Sequence, residues 1–357
     1  MAWLRDTDDA YWAEAPEEEE AAVLARTLRL SLAGDASILL LDPDDVGSDG
    51  EWAAYSLSSW SGMGPERFDS FEALMRDLYA GFHALRQPVG ETRDAWDAEV
   101  ERARVLALDG EFDEAETVLA AAQEFGRDRA RLLRFQLWIM QANWYKLPLS
   151  HLMPVDPALF DDPVFAEIVP LVYADPGYAH HGDDYVAGHL RGHPRTRDLI
   201  YALDRQGAAG AVTLRFGVPE FDQAVKDIIA GLAADVAEQA AIRSDPSPAP
   251  TATNAKLIMT VMSWPAPRDH PPTSAPATAA GSEPAPAPAP ERAPMRGPAP
   301  STKACDVAWR AVMDAMRLWR PVSDNHIAPV VLLAEPLLQA VITQGRGREL
   351  LSVPRRR

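Results

Sequence analysis

The sequence predicts an α+β fold in which an N-terminal antiparallel sheet with a packed helix precedes a long α-helical region. Residues 26–41 combine an alternating apolar run with a continuous apolar run across a tight turn, which is the pattern of a β-hairpin. From residue 71 onward, apolar residues recur at helical spacing instead. Proline and alanine then dominate residues 246–301, so a small helical C-terminal segment is predicted to follow a disordered linker.

The predicted sheet begins with residues 26–32, where leucines alternate with polar residues as in a half-buried antiparallel strand. Ala33-Gly34-Asp35 turns the chain into a second, buried apolar run at 38–41, and Pro43 with the acidic turn after it favours a strand over a helix there. Asp49-Gly50 is a turn signal that leads into an aromatic strand. In that strand we expect two tryptophans in the core and a tyrosine on the face opposite the first of them, namely Trp52, Trp60 and Tyr55.

An amphipathic helix is predicted from Phe71 to Leu85, with Asp69 and Glu72 as a capping-box-like start. Its apolar residues recur at helical spacing and are Phe71, Leu74, Met75, Leu78 and Phe82. We expect this helix to pack against the sheet, which completes an α+β unit.

The order of these motifs resembles the C-terminal half of the SUKH superfamily, the Smi/Knr-like family of yeast cell-wall assembly regulators and of many bacterial immunity proteins. The motifs are Leu-Leu-Leu-Asp-Pro at 39–43, Asp-Gly-Glu-Trp at 49–52, an aromatic stretch ending in Trp60, and Arg-Phe-Asp-Ser-Phe at 67–71. The resemblance covers about residues 3–85, and residues 1–87 are accordingly interpreted as a SUKH-like domain. It implies a non-enzymatic immunity protein that binds and neutralises a toxin, often a nuclease, delivered by a competing cell.

Residues 92–245 are predicted to be α-helical, with a break at Asp109-Gly110, a second at Phe125-Gly126, and a third helix from Asp128 to Tyr145. The first two helices are similar to a tetratricopeptide repeat through Ala103, Gly110, Glu111, Phe112, Ala115, Leu119 and Ala122. Fewer than three repeats cannot bury a solenoid core alone. We therefore expect these TPR-like helices to pack on the first domain or on the helices that follow.

The Pro/Ala-rich linker at 246–301 is interpreted as a semi-rigid, unpacked spacer. It contains one apolar island, Leu257–Trp264, which is interpreted as a short strand or a docking segment. The C-terminal segment 302–353 is predicted to be helical up to Trp319 and to stop at Pro321. We expect the three terminal arginines to be frayed.

The net charge of the chain limits the kinds of molecule that it is expected to bind. The net charge of −19 at pH 7 argues against a nucleic-acid-binding surface, which needs Lys and Arg to neutralise phosphates, and against an anionic membrane surface. It is compatible with a basic protein partner, and equally with solubility alone. No signal peptide and no run of roughly 18 apolar residues is visible. With a single cysteine, Cys305, these features predict a cytoplasmic protein.

Three groups of residues could carry chemistry, and each has a plainer interpretation. A metal site could use His180, His181, Asp183, Asp184, His189 and His193, but nearby glycine and proline favour a solvated loop. Asp42, Asp44, Asp45 and Asp49 lack the terminal glutamate of an EF-hand loop. Glu51 has no evident partner for general-base catalysis, and no phosphate-binding glycine loop or nucleophile elbow is present. We therefore predict no catalytic, cofactor-binding or metal site.

Two interpretations of function stay open beside a less supported third, an enzyme. The first is an immunity protein that binds a basic toxin domain and neutralises it. The second is a scaffold or regulatory adaptor, of the cell-wall assembly regulator type, whose TPR-like helices bind a partner peptide. The predicted partner-binding residues are Asp44, Asp45, Asp49, Glu51, Tyr55 and Arg67.

Overall fold

A computed structural model describes residues 18–31, 37–58, 64–141, 156–173, 190–208, 213–244 and 299–355. In these ranges a four-stranded antiparallel sheet is followed by helices, which confirms the α+β prediction at this level. The helices are α1 (Glu18–Arg26), α2 (Phe71–Arg86), α3 (Glu91–Asp109), α4 (Phe112–Glu124), α5 (Asp128–Met140), α6 (Phe165–Tyr173), α7 (Pro194–Ala208), α8 (Pro219–Ser244), α9 (Thr302–Ala315), α10 (Pro336–Val341) and α11 (Gln344–Leu351). Two 3₁₀ turns cover Pro157–Asp161 and Val330–Ala334.

The sheet has the order β1-β2-β3-β4, with neighbouring strands antiparallel. The strands are β1 (Leu28–Arg29), β2 (Ser37–Val46), β3 (Trp52–Ser58) and β4 (Glu66–Phe68). The predicted first hairpin is present, with Leu28 opposite Leu41. The second strand is longer than the predicted run at 38–41, because β2 continues past Pro43 to Val46 through an irregularity after Asp42. Proline has no N–H for a regular ladder, so it is accommodated at such an irregularity.

Helices cover both faces of the sheet. α1 places Val23 and Leu24 against the face that carries Leu40 and Tyr55. α2 contacts β3, and its Leu74 is fully buried. Ala54 of β3 is fully buried but is not part of the cluster that α1 forms with Ala53 and Tyr55. Because successive residues of a strand point to opposite faces, we assign α2 to the face opposite α1. The packing of the predicted helix on the sheet is therefore confirmed.

Some apolar side chains of this unit are not where the sequence predicts them. Trp52 is 42% exposed rather than in the core, because it lies at the end of β3 beyond the irregularity in β2. Leu28 and Leu30 are also exposed, since β1 has two residues and lies at the sheet edge. The α2 helix turns Leu74 inward and leaves most of its predicted apolar stripe exposed. Trp60 and Leu32 lie outside the described residues.

α3, α4 and α5 pack together through the small residues that the sequence singles out. Ala103, Ala115 and Ala122 are fully buried. α3 ends at Gly110, whose φ of +97° is readily adopted only by glycine, so the predicted break is confirmed. Gly126 lies so close to α2 that a Cβ there would stand 2.6 Å from the Cα of Ala84. The likeness to a tetratricopeptide repeat stays a prediction.

The C-terminal segment shares one hydrophobic core with α3 to α8. Gln136 on α5 is fully buried and joins the two parts: its amide donates to the carbonyl of Asn325 at 2.7 Å and accepts the N–H of Ile327 at 2.9 Å. Asp162 accepts hydrogen bonds from Ser323 and Asn325. Residues far apart in sequence therefore form one packed unit.

The prediction that the terminal arginines are frayed is wrong for Arg355. Its side chain is 3% exposed and donates to the carbonyl oxygens of Ile327, Leu350, Leu351, Val353 and Ala107. Four of these carbonyls, all but that of Ile327, lie at or near the C-terminal ends of α11 and α3. The helix dipole is negative there, which offsets part of the cost of burying a cation. Burial nevertheless lowers the pKa of the Arg355 guanidinium to about 10. Arg356 and Arg357 lie outside the described residues.

Candidate protein-binding surface

The turn between β2 and β3 presents carboxylates to solvent. The N–H of Gly47 donates to the carbonyl of Glu51 at 2.8 Å, and Gly50 adopts a φ of +85° that suits glycine. The Asp49 carboxylate accepts the N–H of Glu51 at 3.2 Å. Asp44, Asp49 and Glu51 are all exposed, so this acidic hairpin turn is available to a partner.

Asp45 is the centre of an ordered ion-pair network beside this turn. It accepts hydrogen bonds from the Tyr55 hydroxyl at 2.8 Å and from Arg67 Nε and Nη2 at 2.7 and 3.0 Å. The third guanidinium nitrogen, Arg67 Nη1, donates to Asp69 at 2.6 Å. Arg67 therefore joins β2 to the residue that lies two positions before α2.

The charges of this network stabilise one another. The hydrogen bonds from Arg67, which have the larger effect, and from Tyr55 lower the pKa of Asp45 to about 2. Desolvation and the neighbouring Asp45 carboxylate raise the pKa of Tyr55. Asp45 is thus ionised and Tyr55 protonated across the physiological pH range, and the hydroxyl serves as a donor that orients the carboxylate.

A second ion pair holds α1 on the sheet. Arg26, the last residue of α1, donates from Nε to Asp42 Oδ2 at 2.7 Å. The Asp42 side chain is fully buried, and its other oxygen accepts the N–H of Asp44 at 3.1 Å. This pair has a structural role, because Asp42 cannot reach a partner.

α2 carries a line of exposed apolar side chains, which we call the α2 stripe. The spacing between successive members is four, three, four and three residues, which places them on one helix face. Their exposed fractions run from 38% at Leu78 to 86% at Leu85. The members are Phe71, Met75, Leu78, Phe82 and Leu85.

The six predicted partner-binding residues thus fall into two groups. Asp44, Asp49 and Glu51 lie on the exposed turn, whereas Asp45 and Arg67 bind each other. Tyr55, also among the six, is 6% exposed and orients Asp45. Sequence reasoning missed the α2 stripe as a surface, because helical spacing alone does not show that Leu74 is buried and its neighbours on the helix are exposed.

One buried pair combines a carboxylate with an imidazole. His326 Nε2 lies 3.2 Å from Glu167 Oε2, and the two side chains are 0% and 5% exposed. His326 Nδ1 accepts the N–H of Val322, so we assign the proton to Nε2, which lies 2.8 Å from the carbonyl of Ala328. A substrate cannot reach this pair, and the two hydrogen bonds of His326 hold the loop before Ala328 in the core.

The predicted histidine cluster is described only at His193, which stacks on Phe160 with ring centroids 5.4 Å apart. Its other members lie within residues 174–189, outside the described ranges. Among the described residues, no group of three or more histidine, cysteine, aspartate or glutamate side chains could hold a metal ion. Within the same ranges no helix is both long and apolar enough to cross a lipid bilayer.

Comparison with protein-family models, with curated proteins and with solved structures found no match to the chain. The SUKH-type and tetratricopeptide-type resemblances therefore stay predictions that rest on the motifs.

Proposed function

We propose that the protein is a non-catalytic binding protein that docks a basic protein partner on the α2 stripe and the adjoining acidic hairpin turn. The observation that carries this proposal is the exposure of five large apolar side chains on one face of α2. Exposed apolar patches on soluble proteins commonly mark interaction sites. The regular spacing of the stripe suits a partner that presents an apolar helix or groove.

The exposed carboxylates near the start of α2 favour a partner that is positively charged. The turn contributes Asp44, Asp49 and Glu51, and the carboxylate of Asp69 is 93% exposed at the start of α2. The ion-pair network of Asp45 and Arg67 holds this acidic end rigid before a partner arrives, which lowers the cost of ordering it on binding. Together with the net charge of −19, this favours fast association with a basic protein.

We propose further that this partner is a basic toxin domain and that binding neutralises it. Support for this step comes from the resemblance to SUKH-type immunity proteins. An acidic surface beside an apolar stripe would cover a basic active site and compete with nucleic acid for it.

The alternative adaptor function has less support. α5 contacts α4 on one side and the 3₁₀ turn Val330–Ala334 on another. Gln136 of α5 is bonded to the C-terminal segment. The surface of α5, the helix that packs next to the TPR-like pair, is therefore used within the molecule.

Affinity capture with matched baits tests the proposal. The native chain, the stripe variant Met75→Ser/Phe82→Ser, and the control Tyr201→Ser/Ile242→Ser, which alters exposed apolar residues on α7 and α8, serve as baits. We expect a basic protein that the native chain and the control retain and the stripe variant loses. Expressed alone, that protein should arrest growth, and co-expression of the native chain should restore it. Identical captured proteins on all three baits would contradict the proposed surface.

A further inference from the structure

A groove runs between α8 and α9 and encloses about 810 Å³. Small residues line much of it and give the groove its depth, namely Ala224, Gly231, Ala304, Ala308, Ala311 and Ala315. Val307 and Leu318 also line it and are 52% and 43% exposed. The groove is therefore an apolar surface that another segment can cover.

Both ends of one chain segment belong to the two helices that form this groove. Asp235 on α8 accepts hydrogen bonds from the N–H and the hydroxyl of Ser301 at 2.7 and 2.8 Å, so α9 begins beside α8. α8 itself ends at Ser244. The intervening chain thus leaves from the end of α8, about 14 Å along the helix from Asp235, and returns at the start of α9, which borders the groove.

We propose that the apolar island Leu257–Trp264 of this same chain occupies the groove between α8 and α9. The island is Leu-Ile-Met-Thr-Val-Met-Ser-Trp, within a region that is otherwise rich in proline and alanine. Burying its large side chains against Val307 and Leu318 removes apolar surface of both from water.

The length of the connecting chain and the length of the island both fit the groove. The twelve residues 245–256 span at most about 40 Å, whereas Gly231 lies about 20 Å along α8 from Ser244. From Ala224 to Asp235 the groove extends about 17 Å, and eight residues span about 12 Å as a helix or about 26 Å extended. A short tether gives a local concentration on the order of millimolar, so weak intrinsic affinity suffices.

Charge also favours the island. Lys256 precedes it and Arg268 follows shortly after it. The groove is lined by three carboxylates, of Asp227, Asp235 and Asp314, and by one cation, Lys303, so acidic side chains are in excess there. A basic residue at each end of an apolar segment complements this acidic lining.

Hydrogen exchange of the full chain, read by mass spectrometry over residues 257–264, tests the proposal. We expect the native chain to exchange these amides at least tenfold more slowly than a synthetic peptide of residues 253–268. Gly231→Glu places a charged side chain in the groove, where a Cβ meets nothing within 4 Å, so the fold tolerates it. This variant should return the island to the peptide rate, whereas Ala230→Glu, at an exposed neighbouring position, should not.

Three results would overturn the proposal. The first is exchange at the peptide rate in the native chain. The second is slow exchange that survives Gly231→Glu. The third is slow exchange that depends on protein concentration, because it would assign the groove to the island of a second copy.

Discussion

Gly347 on α11 lies directly against the carbonyl of Met140 at the end of α5, so closely that a Cβ would overlap the carbonyl oxygen. Two helices that are about 200 residues apart in sequence therefore touch backbone to backbone. This contact and the bonds of Arg355 make the last helix part of the core rather than an appendage.

Gly347→Ala should therefore destabilise the protein by about 3 kcal/mol, because α11 must move away from α5 to admit a methyl group. Urea unfolding measures the change. Gly345→Ala on the same helix is the matched control, since a Cβ there meets nothing within 4 Å, and we expect it to be within about 1 kcal/mol of native. Equal effects at the two positions would disprove the close contact.

Arg355→Lys should lower stability by about 3 kcal/mol even though it keeps the charge. Lysine has three donors, and the guanidinium of Arg355 reaches five carbonyls, so at least two of them lose their partner. Thermal unfolding detects the loss. Arg310→Lys, at an exposed position on α9, should leave the midpoint nearly unchanged. A native-like midpoint for Arg355→Lys would mean that the C-terminus is frayed after all.

Gln136→Leu should cost about 2 kcal/mol, because it leaves the N–H of Ile327 buried without an acceptor. Chemical denaturation provides the free energy of unfolding. The control is Gln223→Leu, where the side chain is exposed and bonds only to Asp227 on its own helix among the described contacts. If the two substitutions cost the same, Gln136 does not join α5 to the C-terminal segment.

Asp45 should make the native state sensitive to acid. Its pKa is lowered from 3.8 to about 2, so its contribution to stability is complete above about pH 4. That contribution is lost as the pH falls from 4 towards 2, because the unfolded state binds the proton first. Asp45→Asn should therefore flatten the stability profile across this window, measured by urea unfolding at successive pH values. Asp49→Asn, which leaves the hydrogen bonds of Asp45 in place, is the control, and an equal flattening in both variants would contradict this role of Asp45.

Local signals in the sequence predicted local features well. Gly110 ends α3 because a left-handed residue is needed there and glycine meets that need at low cost. The hairpin of β2 and β3 follows from the turn at Asp49-Gly50, where Gly50 has a positive φ. Such features depend on a few neighbouring residues, so one sequence suffices to find them.

Features set by distant contacts were missed. Periodicity shows that α2 is amphipathic, but only the sheet decides that Leu74 turns inward and Phe82 outward. Arg355 looks like part of a charged tail until the carbonyls of two helix ends surround it. The candidate surface was therefore predicted in its acidic half, at Asp49 and Glu51, and not in its apolar half.

The most direct measurement is the dissociation constant of the captured basic partner for the native chain and for Met75→Ser/Phe82→Ser, by calorimetry at fixed salt. Each residue, if central to the interface, contributes about 2 kcal/mol, so we expect binding to weaken by about a hundredfold or more. We also expect the native affinity to fall as salt is raised. A dissociation constant that the double substitution leaves within about twofold of native would contradict binding through α2.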